Sequence, residues 1–463
     1  MVKCSERPIL QTLWVAAAIF TALALFSLPG DAFSQEGDPV SHENAVTFTE
    51  DIAPILQQNC VRCHRENSIA PMSFRTYEQV RPYARMMKRV ITRRLMPPYH
   101  YDADVGSIQD LKNDWRLRDD QIEAIVAWVD TGAPEGDPAD MPSQEEFAPY
   151  DDWLLKDYLG REPDHVVESK PFTVPAEGGD LWWRPVVPIG LDRDRKVRAI
   201  ETRPSYPDGV QVVHHAIPRL LMKNEDGEWE RVASFTEYAM GKVGEILPDD
   251  AYRVLPKDGL IQWDVHYFPG GSAQARTGSI VAKDNVVRVG FWFYDDEEAP
   301  RYEQDLANYR LQGDILLEPG GTAMTQGFHR WDHPVRIDQY QAHGHVHLHA
   351  MSMQAIYPDG RQELLSMVTN FSAKWHHSYI YEEDVAPLLP EGTVLVITGW
   401  YDNTKKNPLA TDQNLYVTRG ARTHDEMSHA WLAVTHLDQE GYERIKAERE
   451  QMLTDEQEDG QQP

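Results

Sequence analysis

The spacing of apolar positions divides the chain into a helical stretch followed by a strand-rich one. In "TFTEDIAPILQQN" (47–59), Thr47 or Thr49 stands ahead of acidic residues, a helix start with a polar cap and anions in its first turn. A second helix is predicted from Thr76 through "YEQVRPYARMMKRVITRR", stopped at Pro97 and Pro98. A third, "RDDQIEAIVAWVDTG", starts at Asp119 or Asp120 and places Ile122, Ile125, Val126 and Val129 at i, i+3, i+4 and i+7 before Gly132 ends it. Together they predict a small all-α domain over 45–135.

Residues 136–152 are rich in Pro, Gly and acids and read as a linker. Beyond them the segments "GVQVVHHAIPRLLM", "LIQWDVHYFPGG", "DNVVRVGFWFYDD" and "EGTVLVITGWYDN" are short, β-branched or aromatic, and bounded by turn residues. The region 153–438 is therefore predicted all-β and long enough for two sandwiches in series, 153–320 and 321–438, with the seam at "LEPGGTAM" (317–324). The tail 439–463 reads as a charged helix giving way to disorder, a solvated appendage.

One stretch departs from ordinary alternation. In "HGHVHLHAMSM" (343–353), a period of two puts His343, His345, His347, His349, Met351 and Met353 on one side of an extended segment and Val346, Leu348 and Ala350 on the other. Four imidazoles on one face are costly to bury without a shared purpose, and metal binding supplies one.

Composition narrows the field. With 463 residues and 41% hydrophobic positions the chain can build real cores, and a formal net charge of -29 argues against nucleic acid or an anionic lipid surface as partner. At the N-terminus, Lys3 and Arg7 precede an apolar run over 13–28, and Ala32-Phe33-Ser34 offers a cleavage site before Gln35. Residues 1–34 thus read as a signal peptide and the protein as exported, periplasmic or otherwise. The alternative, an uncleaved anchor, is opposed by a run short of the roughly 20 residues a span needs. Cys4 precedes the run, so no lipoprotein site is supported, and no later segment is apolar enough to span a bilayer.

Signal removal leaves two cysteines, Cys60 and Cys63, too close together to staple a fold. They stand in Cys60-Val61-Arg62-Cys63-His64, the C-x-x-C-H pattern that attaches haem: two thiols one helical turn apart add to the vinyl groups, and the next histidine ligates the iron. A helix running into this motif, a Met-Pro-Pro loop and the closing helix "DDQIEAIVAWV" resemble class I cytochromes c over 45–135. That resemblance implies Met96 as distal iron ligand; Met72 and His100 are the alternatives.

Histidines gather at strand-like places further on: His214 and His215 in "VVHHAI", His266 in "WDVHYF", and the row at 343–349. Singly each is weak, since an adjacent pair or a lone histidine in an aromatic strand is more often structural. In chain order, however, His-His, then "VHY", then H-x-H, then "THDEMSHAW" resembles the copper type II, ascorbate-dependent monooxygenases. This family includes the peptidylglycine and dopamine monooxygenases, and the resemblance covers 160–437. It implies two jelly-roll-like sandwiches with one copper each, the first on His214, His215 and His266, the second on His345, His347 and Met427. It further implies a copper-dependent monooxygenase, in which the His2Met centre works with dioxygen on a small organic substrate and the all-histidine centre delivers the second electron. The fused haem implies an electron relay fed by an external donor, an ascorbate-like reductant or a redox protein.

Several features depart from the family. No cysteine remains for the disulfides of the animal enzymes, and His343, His349, Met351, Met353, His424 and His429 exceed its ligand set. His376 and His377 in "KWHHSY" are expected at the surface or in a supporting role. Two other classes compete: a non-catalytic copper-binding or electron-transfer protein of the same fold, and a zinc hydrolase, which the methionine ligand disfavours. A blue-copper centre is excluded, because it needs a thiolate and both remaining cysteines serve the haem.

Overall fold

A computed structural model describes residues 46–459, except 67, 69, 71, 113, 145, 147–151, 177–178, 206, 240–241, 243, 268–280, 296–299, 311–314 and 411. The proposed signal peptide lies outside the described residues. From Val46 onward the chain forms one compact unit.

Phe48–Ile52 and Ala53–Asn59 make the first helical stretch, and the Glu50 amide donates to the hydroxyl of the cap residue Thr47 at 3.4 Å. The second predicted helix is interrupted. Tyr77–Val80 starts with a capping box between Thr76 and Gln79, a tighter turn follows over Arg81–Tyr83 where Pro82 lacks an amide hydrogen, and Ala84–Ile91 resumes the helix. Asp119–Asp130 forms as expected, and Gly132, at φ +97°, ends it. Phe48, Ile52, Leu56, Ile125 and Trp128 bury one another in a core of their own.

The rest is mostly β-sheet, in keeping with sandwich-type regions. One core gathers around Trp263, Tyr267 and Phe291, another around Tyr340, Met351 and Tyr401. The two regions share a sheet. Tyr302–Arg310, placed by sequence in the first sandwich, pairs antiparallel with His429–His436, which pairs in turn with Val335–His343. A separate four-stranded sheet orders Thr322–Arg330, Val394–Asp402, Leu348–Ile356 and Gln362–Val368. The helical section is tied to the second β region: Tyr99, Tyr101, Leu111 and Trp115 join its core, and the Tyr101 hydroxyl donates to Ser366 Oγ at 2.7 Å.

Two expectations fail here. "HGHVHLHAMSM" is not one extended segment: a strand ends at His343, residues 344–347 turn, and a strand of the other sheet begins at Leu348. Gly344 permits the turn, because a Cβ there would lie 2.7 Å from the Leu348 side chain. A register shift between Leu348 and Ala350 then breaks the alternation, so His349 is exposed while Met351 and Met353 are core residues. The tail is not a free appendage either. Gln439–Asp459 is helical, Ile445 packs with Tyr302 and Leu437, and Arg449 donates to the carbonyls of Ala386 and Glu383 at 2.8 and 2.5 Å. Among the described residues no helix is long and apolar enough to cross a membrane.

Candidate metal centre and an adjoining cavity

A cleft of about 410 Å³ lies where the two β regions meet. Neighbouring residues of a regular strand point to opposite faces, so His214 and His215 ought to diverge. They do not, because a bulge intervenes: His266 pairs with His215 and Tyr267 with Val213, leaving His214 as the extra residue. The rings of His214, His215 and His266 lie 5.0 to 5.5 Å apart, and one nitrogen from each falls within 4.8 Å of the others. Trp182 stacks on His266 at 4.4 Å, and His266 Nε2 bonds Asp180 Oδ1 at 2.8 Å. That bond leaves His266 Nδ1 for a ligand, and the buried Nδ1 atoms of His214 and His215 have no hydrogen-bond partner. Burial holds all three imidazoles below their ordinary pKa, His214 at about 3, so they stay neutral and ligand-competent.

The second region faces this trio. His343 pairs with His429 across their strands, and the rings stack at 4.4 Å. His345 and Met427 line the cleft, held by one carboxylate: Glu426, fully buried, accepts from the amides of His345 (2.5 Å), His347 (3.0 Å) and Met427 (2.8 Å). His345 Nδ1 bonds the Asp425 carbonyl at 3.0 Å, leaving Nε2 for a ligand. His347 is not among the cleft-lining residues; it is buried, with Nδ1 3.5 Å from Glu426 Oε2. His343 does line the cleft, its ring 5.9 Å from that of His345. His424 and His429 line it as well.

Two further residues complete a second group. Glu237, His343 and His376 bring a carboxylate oxygen and two imidazole nitrogens within 4.8 Å of one another, all buried. No spacing pattern marked Glu237, and His376, expected at the surface or in support, is only 3% exposed because its segment packs between the cleft and the helical section.

Beside the cleft lies a second, largely apolar cavity of about 460 Å³ that contains Cys60, Cys63, His64, Met72, Met96 and His377 among its walls. The two thiols are free, and burial drives Cys60 up to about 12. His64 stacks on Phe74 at 4.3 Å and its Nδ1 bonds the Met72 carbonyl at 3.2 Å, which leaves Nε2 facing a would-be ligand. Paired thiols, an oriented imidazole and the thioethers of Met72, Met86, Met87 and Met96 in an apolar enclosure fit a covalently attached haem. His100, an alternative distal ligand, lines a neighbouring cavity instead, with Met96. His377 is buried against Trp115 and Trp375, so the adjacent histidines His376 and His377 serve different cavities.

No family model matches the chain, and no curated protein matches it. Solved structures resemble it only distantly. The major capsid protein P2 of bacteriophage PM2 is 13% identical with a TM-score of 0.28, covering 60% of this chain and 99% of that one. A putative secreted protein from Parabacteroides distasonis is 8% identical with a TM-score of 0.16, covering 60% and 91%. Infectious bursal disease virus VP2 is 10% identical with a TM-score of 0.18, covering 59% and 72%.

Proposed function

We propose that the protein is an exported haem- and copper-containing monooxygenase that hydroxylates a C–H bond of a small organic substrate with dioxygen. A c-type haem, held by Cys60, Cys63 and His64 of the helical section, would relay the electrons of an external donor. The observation that carries this reading is the meeting, on one cleft, of a neutral three-histidine group with the imidazole of His345 and the thioether of Met427. A thioether beside neutral imidazoles suits a soft cation such as copper(I).

Copper in the cleft would supply one-electron chemistry and dioxygen activation, and the haem would supply electron storage. The chain's own residues do the rest. Asp180 fixes which nitrogen His266 presents, and its bonds to Thr423 (3.0 Å to the hydroxyl) tie that histidine to the loop bearing Met427. Glu426 orients the 345–347 turn toward the same loop. His347, the third ligand implied by the family resemblance, is buried beside Glu426 and is not among the cleft-lining residues. The neighbours His376 and His377 link the cleft to the thiol cavity, which favours a relay between them.

Oxygen uptake stoichiometric with a hydroxylated product, by protein carrying haem and copper, is the expected result. Copper bound without oxygen consumption under any reductant would sink the proposal in favour of a copper-binding electron carrier.

A further inference from the structure

We infer that Glu237, His343 and His376 form an additional metal site, separate from the centres proposed above, that takes a divalent transition-metal ion through one carboxylate oxygen and two imidazole nitrogens. The three side chains are 3 to 6% exposed, yet Glu237 Oε1, His343 Nδ1 and both ring nitrogens of His376 have no hydrogen-bond partner. Buried polar atoms left bare are costly, and native interiors rarely tolerate them. One cation satisfies Glu237 Oε1 and one nitrogen of each histidine together.

The group is held in place from outside. Glu237 Oε2 accepts from Gln341 at 2.6 Å and pairs with Lys242 at 3.2 Å, so the carboxylate presents Oε1 to the histidines. A simple ion pair does not explain the arrangement, because Glu237 Oε1 and His376 Nδ1 stand 3.8 Å apart, beyond hydrogen-bond distance. His343 is clamped by its stacking on His429, and His376 meets the edge of His343 at 4.8 Å. Burial keeps His343 neutral, while Glu237 stays ionised against burial chiefly through Lys242. With an oxygen donor and no sulfur, the set suits zinc or copper(II) and disfavours copper(I). Three protein ligands leave a position open, and the site lies on the wall of the cleft. The rings of His376 and His214 are 5.6 Å apart, so this ion would be the immediate neighbour of one held by the three-histidine group.

The test is a metal count. Full-length protein stripped by a chelator is dialysed against Zn2+ alone, as wild type, Glu237→Gln, His376→Gln, a His214→Gln/His215→Gln pair variant, and a variant combining that pair with Glu237→Gln. Glu237→Gln and His376→Gln should each lose one equivalent of zinc, the pair variant should lose a different one, and the combined variant both. Melting of the metal-free proteins accompanies the count: Glu237→Gln, which leaves the buried Lys242 without its carboxylate, should melt below the wild type without metal and gain less on adding zinc. An unchanged zinc count in Glu237→Gln, the variant that best preserves shape, overturns the site even if His376→Gln does not fold. An unchanged count in the His214/His215 variant would instead overturn the three-histidine centre and leave this one standing.

Discussion

The two cavities of this protein are built in opposite ways. The thiol cavity surrounds one pentapeptide, Cys60 to His64, whose reactive atoms are placed by a single helical turn and walled by apolar side chains. The cleft draws its donors from strands and loops more than two hundred residues apart, from His214 to His429, and the full set faces one cleft only through the sheet shared by both β regions. A local site can be recognised before the fold is known; a distributed one is a product of the fold, and its ligand set changes with a bulge or a turn.

The contrast is open to direct attack. Replacing Cys60 and Cys63 by alanine should abolish covalently attached haem, seen as loss of haem stain on a denaturing gel, while the metal count of the cleft stays unchanged. A parallel loss of cleft metal would show that the cavities do not form independently. Met427→Ala should lower oxygen-coupled turnover by roughly 100-fold or more, since even supporting residues of metal centres account for 10–100-fold; the haem spectrum should be intact, and unchanged turnover would refute the thioether centre. Glu426→Ala leaves three backbone amides without their acceptor and should cost about 3 kcal/mol or more of stability, read from denaturant unfolding. Asp180→Asn should weaken metal binding by the three-histidine group about 10-fold, measured by competition with a chelator, with little effect on melting of the metal-free protein.

The smallest expected effect is in pH dependence. Burial lowers His100 to about 4, against an ordinary value near 6.5. Its neutral form therefore adds stability that is complete above about pH 6.5 and is lost as pH falls through 4. His100→Asn should show a shallower fall in melting temperature across that interval, worth about 1 to 2 kcal/mol near pH 5. Identical slopes would mean that other groups carry the acid sensitivity.

How much of this was legible in the sequence follows from the same contrast. The haem motif, the helix over 119–130 and the β-rich remainder all rest on local spacing. His214, His215 and His266 could be named from their order, but only the bulge explains why adjacent histidines share a face. In the histidine row, alternation alone could not reveal that the strand stops at His343. Gly344, inside an apparent strand, was the available warning, because glycine there often marks a bend or a close approach. Glu237 and Glu426 carried no such mark: a single acid in a loop looks like any solvated one until its burial is known. The docking of the tail was hidden for a related reason, since its one well-buried side chain among the described residues, Ile445, sits in an otherwise charged helix.

The step from His376 to His377 has a consequence of its own. Consecutive Cα atoms across a trans peptide stand about 3.8 Å apart whatever the rest of the molecule does. Because one of these residues faces the cleft and the next faces the thiol cavity, one path between the two chambers, which also share Lys374 in their walls, has its length set by a covalent ruler. Thermal breathing of the sheets can reshape either wall but cannot lengthen that step, and inserting a single residue between the two histidines would.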